Sequence, residues 1–167
     1  MDNIRRLKIT QLSFFFGLIG ISLILSNCGT SRKARAKDHQ IAQVIKTARS
    51  YTGTPYKWGG TTRSGIDCSA LTGHAYEAIN INLSRTADAQ ALHGEKVKMS
   101  ELKPGDLLFF ATGKKKRVVT HVGLVTEVKS KNEVKFIHAS TSLGVVETNL
   151  YSEYYLKRFR GARRMIQ

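Results

Sequence analysis

Val118-Val119-Thr120-His121-Val122-Gly123-Leu124-Val125-Thr126-Glu127-Val128, then Lys129-Ser130-Lys131-Asn132, then Val134-Lys135-Phe136-Ile137-His138: two apolar, β-branched runs flank a short polar stretch and read as an antiparallel hairpin. Side chains alternate across a strand, so the loop between the runs decides which residues share a face. A two-residue turn at 129–130 sets His121 directly opposite His138, and a four-residue loop at 129–132 sets them diagonally. In both cases the imidazoles lie on one face; an odd loop without a bulge would part them.

Outward from the hairpin, residues 107–110 and 145–148 are further apolar runs between turn signals, and 162–166 fits a last strand. Leu102-Lys103-Pro104-Gly105-Asp106 is a turn. Upstream the pattern is helical. Ile41, Val44, Ile45 and Ala48 mark a helix over 39–50 with Asp38 as N-cap. Cys68, Leu71, Ala75, Ala78 and Ile79 mark a second, and 86–93 a short third, stopped by Gly94. Residues 52–67, with Pro55 and four glycines, form a loop. Helices first and strands afterwards predict an α+β domain with an antiparallel sheet.

Cys68 falls where the glycine-rich loop meets the second helix. Unpaired N–H groups and the positive end of the helix dipole favour a thiolate there. A buried structural cysteine is the competing reading. The histidine pair favours the reactive one, because a base held by a second polar group is what a thiol nucleophile needs. His121 would take the thiol proton and His138 would orient His121.

The first residues read as an address. Arg5, Arg6 and Lys8 precede an apolar run over 12–25, too short for a comfortable membrane span but suited to a signal peptide. Leu25-Ser26-Asn27-Cys28-Gly29 resembles a lipoprotein signal, with Cys28 as the lipid-bearing (palmitate) residue and Asn27 departing from the usual Gly or Ala. This divides the chain into a signal peptide at 1–27, a lipidated N-terminus with a flexible basic tether at 28–37, and a domain at 38–167.

The chain carries 27 Lys+Arg against 12 Asp+Glu, a formal net charge of +15. Residues 1–27 hold only three of those bases and one of the acids, so the excess belongs to the exported domain. An anionic partner or surface would suit it, and export argues against nucleic acid. Lys114-Lys115-Lys116-Arg117 reads as a solvated loop tip before the His121 strand. Trp58 reads as a packing anchor under its loop rather than a sugar platform.

Six segments together resemble the NlpC/P60 family of papain-like cell-wall cysteine peptidases: Pro55-Tyr56-Lys57-Trp58-Gly59-Gly60, Gly65-Ile66-Asp67-Cys68-Ser69, Leu83-Ser84-Arg85-Thr86, Pro104-Gly105-Asp106-Leu107, Thr120-His121-Val122-Gly123 and Ile137-His138-Ala139-Ser140. The resemblance implies a papain-like fold, with Cys68 as nucleophile, His121 as base and His138 as third member. It implies Tyr56, Asp67 and Ser69 as substrate-side residues and an oxyanion site at the Cys68 N–H. It also implies no cofactor or metal. The His138–Ser142 run, Gly144-Val145, the Tyr154–Arg164 tail and the Cys28 signal are most similar to single-domain murein endopeptidase lipoproteins. That subgroup implies cleavage of D-Ala–diaminopimelate cross-links. A lipid anchor at Cys28 followed by Gly29 suits the periplasmic side of the envelope at the outer membrane, and a monomer is expected. A D-Glu–diaminopimelate peptidase, another acyl transfer on the same fold and a non-hydrolytic binder of wall peptides are the alternatives.

Overall fold

The computed structural model describes residues 32–167. The signal peptide and Cys28 therefore lie outside the described residues. The chain divides into two compact units, 1–38 and 39–167. Of the first, residues 32–38 are described; they are helical and mostly exposed, where the sequence reading has a flexible tether through residue 37. No helix among the described residues is long and apolar enough to cross a membrane.

In the second unit, α1 (residues 39–49) leads into the loop, which carries a small hairpin of β1 (Thr61–Thr62) and β2 (Gly65–Ile66). There follow α2 (Cys68–Glu77), α3 (Ala87–Gln90), β3 (Glu95–Val97), β4 (Leu107–Phe110), β5 (His121–Ser130), β6 (Glu133–Ser140), β7 (Gly144–Asn149), α4 (Glu153–Arg158) and β8 (Phe159–Arg164). The strands from β3 onward form one sheet in the order β3-β8-β4-β5-β6-β7, with every neighbouring pair antiparallel. The fold is α+β, as the pattern of the sequence predicts.

Strand alternation sorts the core into two clusters. Leu107, Phe109, Val122, Leu124, Ile137 and Val145 pack with the buried side chains of α1 and α2. Leu108, Phe110, Val125, Phe136 and Ala162 form the other cluster, onto which Tyr155 and Phe159 close from the C-terminal segment. Both faces of β4 are thus buried, which explains a run of four large apolar residues in place of alternation.

The β5–β6 hairpin reaches the expected result by an unexpected route. The tip places Ser130 opposite Glu133, leaving a turn of Lys131 and Asn132. Two register shifts follow, at Val128/Ser130 and at Val125/Glu127, and beyond them Leu124 pairs with Ile137. Each shift alone would turn β6 over relative to β5. Two of them restore the facing, and His121 stands diagonal to His138.

β5 also begins later than the apolar run suggests. The Thr120 hydroxyl accepts from the Thr112 and Gly113 N–H groups at 3.0 and 3.1 Å, so residues 118–120 serve the loop and the ladder opens at His121. β3 and α4 are absent from the sequence reading, and β8 lies earlier than expected, because these segments are polar or basic and carry no apolar period. An i,i+4 contact of Lys157 with Glu153 at 2.6 Å is the local signature of α4.

Gly123 shows what the hairpin requires of a small residue. A Cβ there would sit 2.4 Å from the Phe136 ring and 3.1 Å from the Ile137 carbonyl oxygen. Phe136 in turn stacks on His138, with centroids 4.9 Å apart. Gly123→Ala is expected to cost about 1–3 kcal/mol through overpacking, read as a lower midpoint in urea. An unchanged midpoint would mean the ring moves aside without cost.

Candidate active site

Cys68 is the first residue of α2, and Asp67 is its N-cap. The Asp67 carboxylate accepts from the Ala70 N–H at 2.7 Å and the Ser69 hydroxyl at 3.0 Å, and takes both arms of Arg85 at 3.0 and 2.6 Å. Arg85 also reaches the Ser69 hydroxyl at 3.0 Å. Burial alone would raise the Asp67 pKa, but Arg85, the Ala70 amide and Ser69 outweigh it and hold the carboxyl below its usual range. Asp67 and Ser69 both line the cleft, and each is already engaged within the protein. Arg85 went without a role in the sequence reading although its segment was singled out.

His121 opens β5. Its Nε2 lies 3.1 Å from Nδ1 of His138, and the rings meet edge to face with centroids 5.0 Å apart. The Val122 N–H lies near enough to the Cys68 sulfur to favour its charged form, so the thiol approaches β5 at the residue after His121. His138 Nε2 is flanked by Thr148 Oγ1 at 3.2 Å and the Tyr155 hydroxyl at 3.1 Å. Thr148 and Tyr155 are a second omission. Tyr155 stands on the polar α4, and nothing in its spacing points to the histidines.

A cleft of about 510 Å³ opens beside the thiol. It is lined by Tyr56, Trp58 and Gly59 of the loop, by Asp67, Cys68 and Ser69 at the start of α2, and by residues 85–88 with Val119 and Thr120. The Tyr56 phenol is pushed up by burial, with the neighbouring Cys68 and Asp67 adding to the shift; it is therefore a neutral hydrogen-bond donor beside the sulfur. Trp58 is 86% exposed. It is not the packing anchor expected from the sequence, because the turn at Gly59 and Gly60 carries the indole outward to the rim. The Cβ position of Gly60 is instead filled by the Gly65 carbonyl at 2.4 Å.

Electrostatics depart from the expectation of a resting thiolate. Burial, followed by the Asp67 charge, raises the Cys68 thiol to about 11 against the pull of the Val122, Ser69 and Cys68 N–H groups. Burial lowers His121 to about 4, and burial with the His121 charge lowers His138 to about 3. The helix terminus acts in the anticipated direction, but desolvation is larger. A neutral thiol can still pass its proton to a neutral imidazole, because the resulting ion pair forms with no change in net charge.

These shifts fix a sign for stability against pH. An unfolded histidine protonates near 6.5, whereas the buried pair resists protonation until about pH 4 and below. The unfolded chain therefore binds more protons across that window, and stability present above 6.5 is lost as the pH falls toward 4. The loss is expected to approach about 1.4 kcal/mol per pH unit for each histidine. Urea melts at pH 7.5 and 5.0 test this, and equal midpoints would refute it.

A family model described as the NlpC/P60 family matches residues 53–164. The chain belongs to the NlpC/P60 family. It is thus a hydrolase of a cysteine-peptidase family. Among curated relatives it is similar to the "Probable endopeptidase NlpC" of Escherichia coli strain K12, 37% identical over 151 residues, covering 86% of this chain and 94% of that one. It is 32% identical to "Murein DD-endopeptidase MepS/Murein LD-carboxypeptidase" of the same strain, over 75% of this chain and 63% of the relative. Among solved structures, an NlpC/P60 family protein from Bacillus cereus superposes with a TM-score of 0.68 at 30% identity, over 76% of this chain and 40% of that protein. The NlpC/P60 domain of the peptidoglycan hydrolase SagA gives a TM-score of 0.61 at 28% identity and is covered over 98% of its length.

Proposed function

We propose that the protein is a peptidoglycan endopeptidase whose nucleophile is Cys68, with His121 as base and His138 orienting it. The observation that supports this most is the hydrogen-bonded pair of His121, at the start of β5, and His138 of β6, with Cys68 lining an open cleft and its sulfur near the Val122 N–H of β5. His121 takes the thiol proton as sulfur bonds the scissile carbonyl carbon. The same proton then passes to the departing amine nitrogen as the C–N bond breaks. Water next adds to the thioester, giving one proton to His121 and releasing a carboxylic acid and the thiol. The Cys68 N–H, at the first turn of α2, would stabilise the oxyanion, and Tyr56, Asp67 and Ser69 would shape the substrate side.

The D-Ala–diaminopimelate cross-link is the favoured bond, in keeping with the "Murein DD-endopeptidase" name of one relative. Cleavage at D-Glu is the second reading, supported by 36% identity to a "Gamma-DL-glutamyl hydrolase" of Bacillus subtilis, of which this chain covers 28%. Anchoring through lipid at Cys28, on the periplasmic side of the outer membrane and as a monomer, completes the proposal. Incubation with purified cross-linked muropeptides and mass spectrometry of the products tests it. Dimers converted to monomers indicate the cross-link, and stems cut after D-Glu indicate the second bond. Intact muropeptides with a folded protein would refute both.

A further inference from the structure

Two oxygens converge on one nitrogen beyond the histidine pair. Thr148 Oγ1 and the Tyr155 hydroxyl lie 3.2 and 3.1 Å from Nε2 of His138, and His138 is 1% exposed. The hydrogen bonds allow two proton arrangements of opposite sense. If His138 carries its proton on Nε2, its Nδ1 accepts from Nε2–H of His121, and Nδ1 of His121 is left bare to act as a base. If His138 is instead protonated on Nδ1, it donates to Nε2 of His121, and the His121 proton sits on Nδ1, where it blocks proton uptake.

The two hydroxyls distinguish these arrangements. An Nε2–H can be shared between both oxygens, whereas a bare Nε2 has one lone pair and can accept from only one of them. Neither hydroxyl has another hydrogen-bond partner among the described residues.

We propose that Thr148 and Tyr155 are positioning residues that hold the proton on Nε2 of His138 and thereby keep Nδ1 of His121 unprotonated. Tyr155 reaches the pair from α4, and Thr148 from β7, the strand beside β6. The inference rests on the proposed roles of Cys68 and His121, but its first test does not require turnover.

The measurement is the imidazole ¹⁵N spectrum of the intact protein near neutral pH, where each tautomer has its own pattern of nitrogen shifts. The expected wild-type result is an Nε2–H tautomer at both His121 and His138. In Thr148→Val with Tyr155→Phe, which keeps the ring and the shape of both side chains, both histidines are expected to move to Nδ1–H. Turnover of muropeptides should then fall about 10- to 100-fold in kcat with little change in KM. Each single variant should retain more activity than the double. An Nδ1–H His138 in the wild type would overturn the proposal, as would unchanged tautomers in a folded double variant. The stated tautomers in a wild type without peptidase activity would uphold the hydroxyl relay and remove the peptidase reading.

Discussion

Cys68→Ala and His121→Ala should each lower muropeptide hydrolysis by about 10⁴-fold or more while leaving the fold in place. Removing the sulfur leaves no atom to form the thioester. On the proposed mechanism, removing the imidazole takes away the base from a thiol whose proton is held by burial. Thiol and base act in one step on that mechanism, so the two losses should not add. The double variant should be no slower than either single one. Near-wild-type turnover by folded Cys68→Ala protein would exclude this thiol from the chemistry. Loss of Cys68 should also be mild for stability, since alanine fills much of the same space at the first turn of α2, so circular dichroism and the melting midpoint separate a chemical defect from a folding one.

The second large effect is expected away from the cleft. Asp106 is 1% exposed and accepts from both Nε and Nη2 of Arg164 at 2.8 Å, and from the Lys103 N–H at 2.8 Å. Arg164 adds a bond to the Glu101 carbonyl at 3.0 Å. One carboxylate thus closes the turn before β4 and ties it to the end of β8, and Tyr76 of α2 donates to the Gly105 carbonyl in the same turn. Asp106→Ala leaves a largely buried guanidinium and a turn N–H without their acceptor, and should lower stability by about 3–5 kcal/mol. That is a large part of the roughly 5–15 kcal/mol that holds a domain folded. Replacing Asp106 by Leu together with Arg164 by Met should cost less than Asp106→Ala alone, since no charge is then stranded. A melting midpoint for Asp106→Ala close to wild type would refute the account.

The parts of the site that were legible in the sequence are those set by periodicity. Alternation along residues 118–138 places His121 and His138 on one face, and the helical spacing after the glycine-rich loop puts Cys68 at a helix start. The two register shifts in β5–β6 left no trace, because a bulge changes hydrogen bonding without changing composition. The burial that opposes a thiolate at Cys68 is not legible in the sequence either, because position gives the helix field but not how tightly α2 sits on the sheet. Arg85, Thr148 and Tyr155 were missed for a common reason. Each acts through a partner distant in the chain (Asp67 for the first, His138 for the others), and polar residues on loops, strand ends and short helices have no period to betray them. Trp58 shows the reverse error: a large aromatic in a loop suggests packing, yet the side chain is 86% exposed.

The outward placement of Trp58 also governs how the protein can be observed. The chain contains a single tryptophan, so its indole emission comes wholly from the rim of the cleft. With the side chain 86% exposed in the folded state, the emission maximum already lies near that of an unfolded chain, and denaturation will hardly move it. The same spectrum should shift to the blue when a ligand covers the rim. Indole fluorescence is therefore a reporter of cleft occupancy that is nearly blind to unfolding, and melting of this domain is better followed by far-UV circular dichroism or by the exposure of its buried Tyr76.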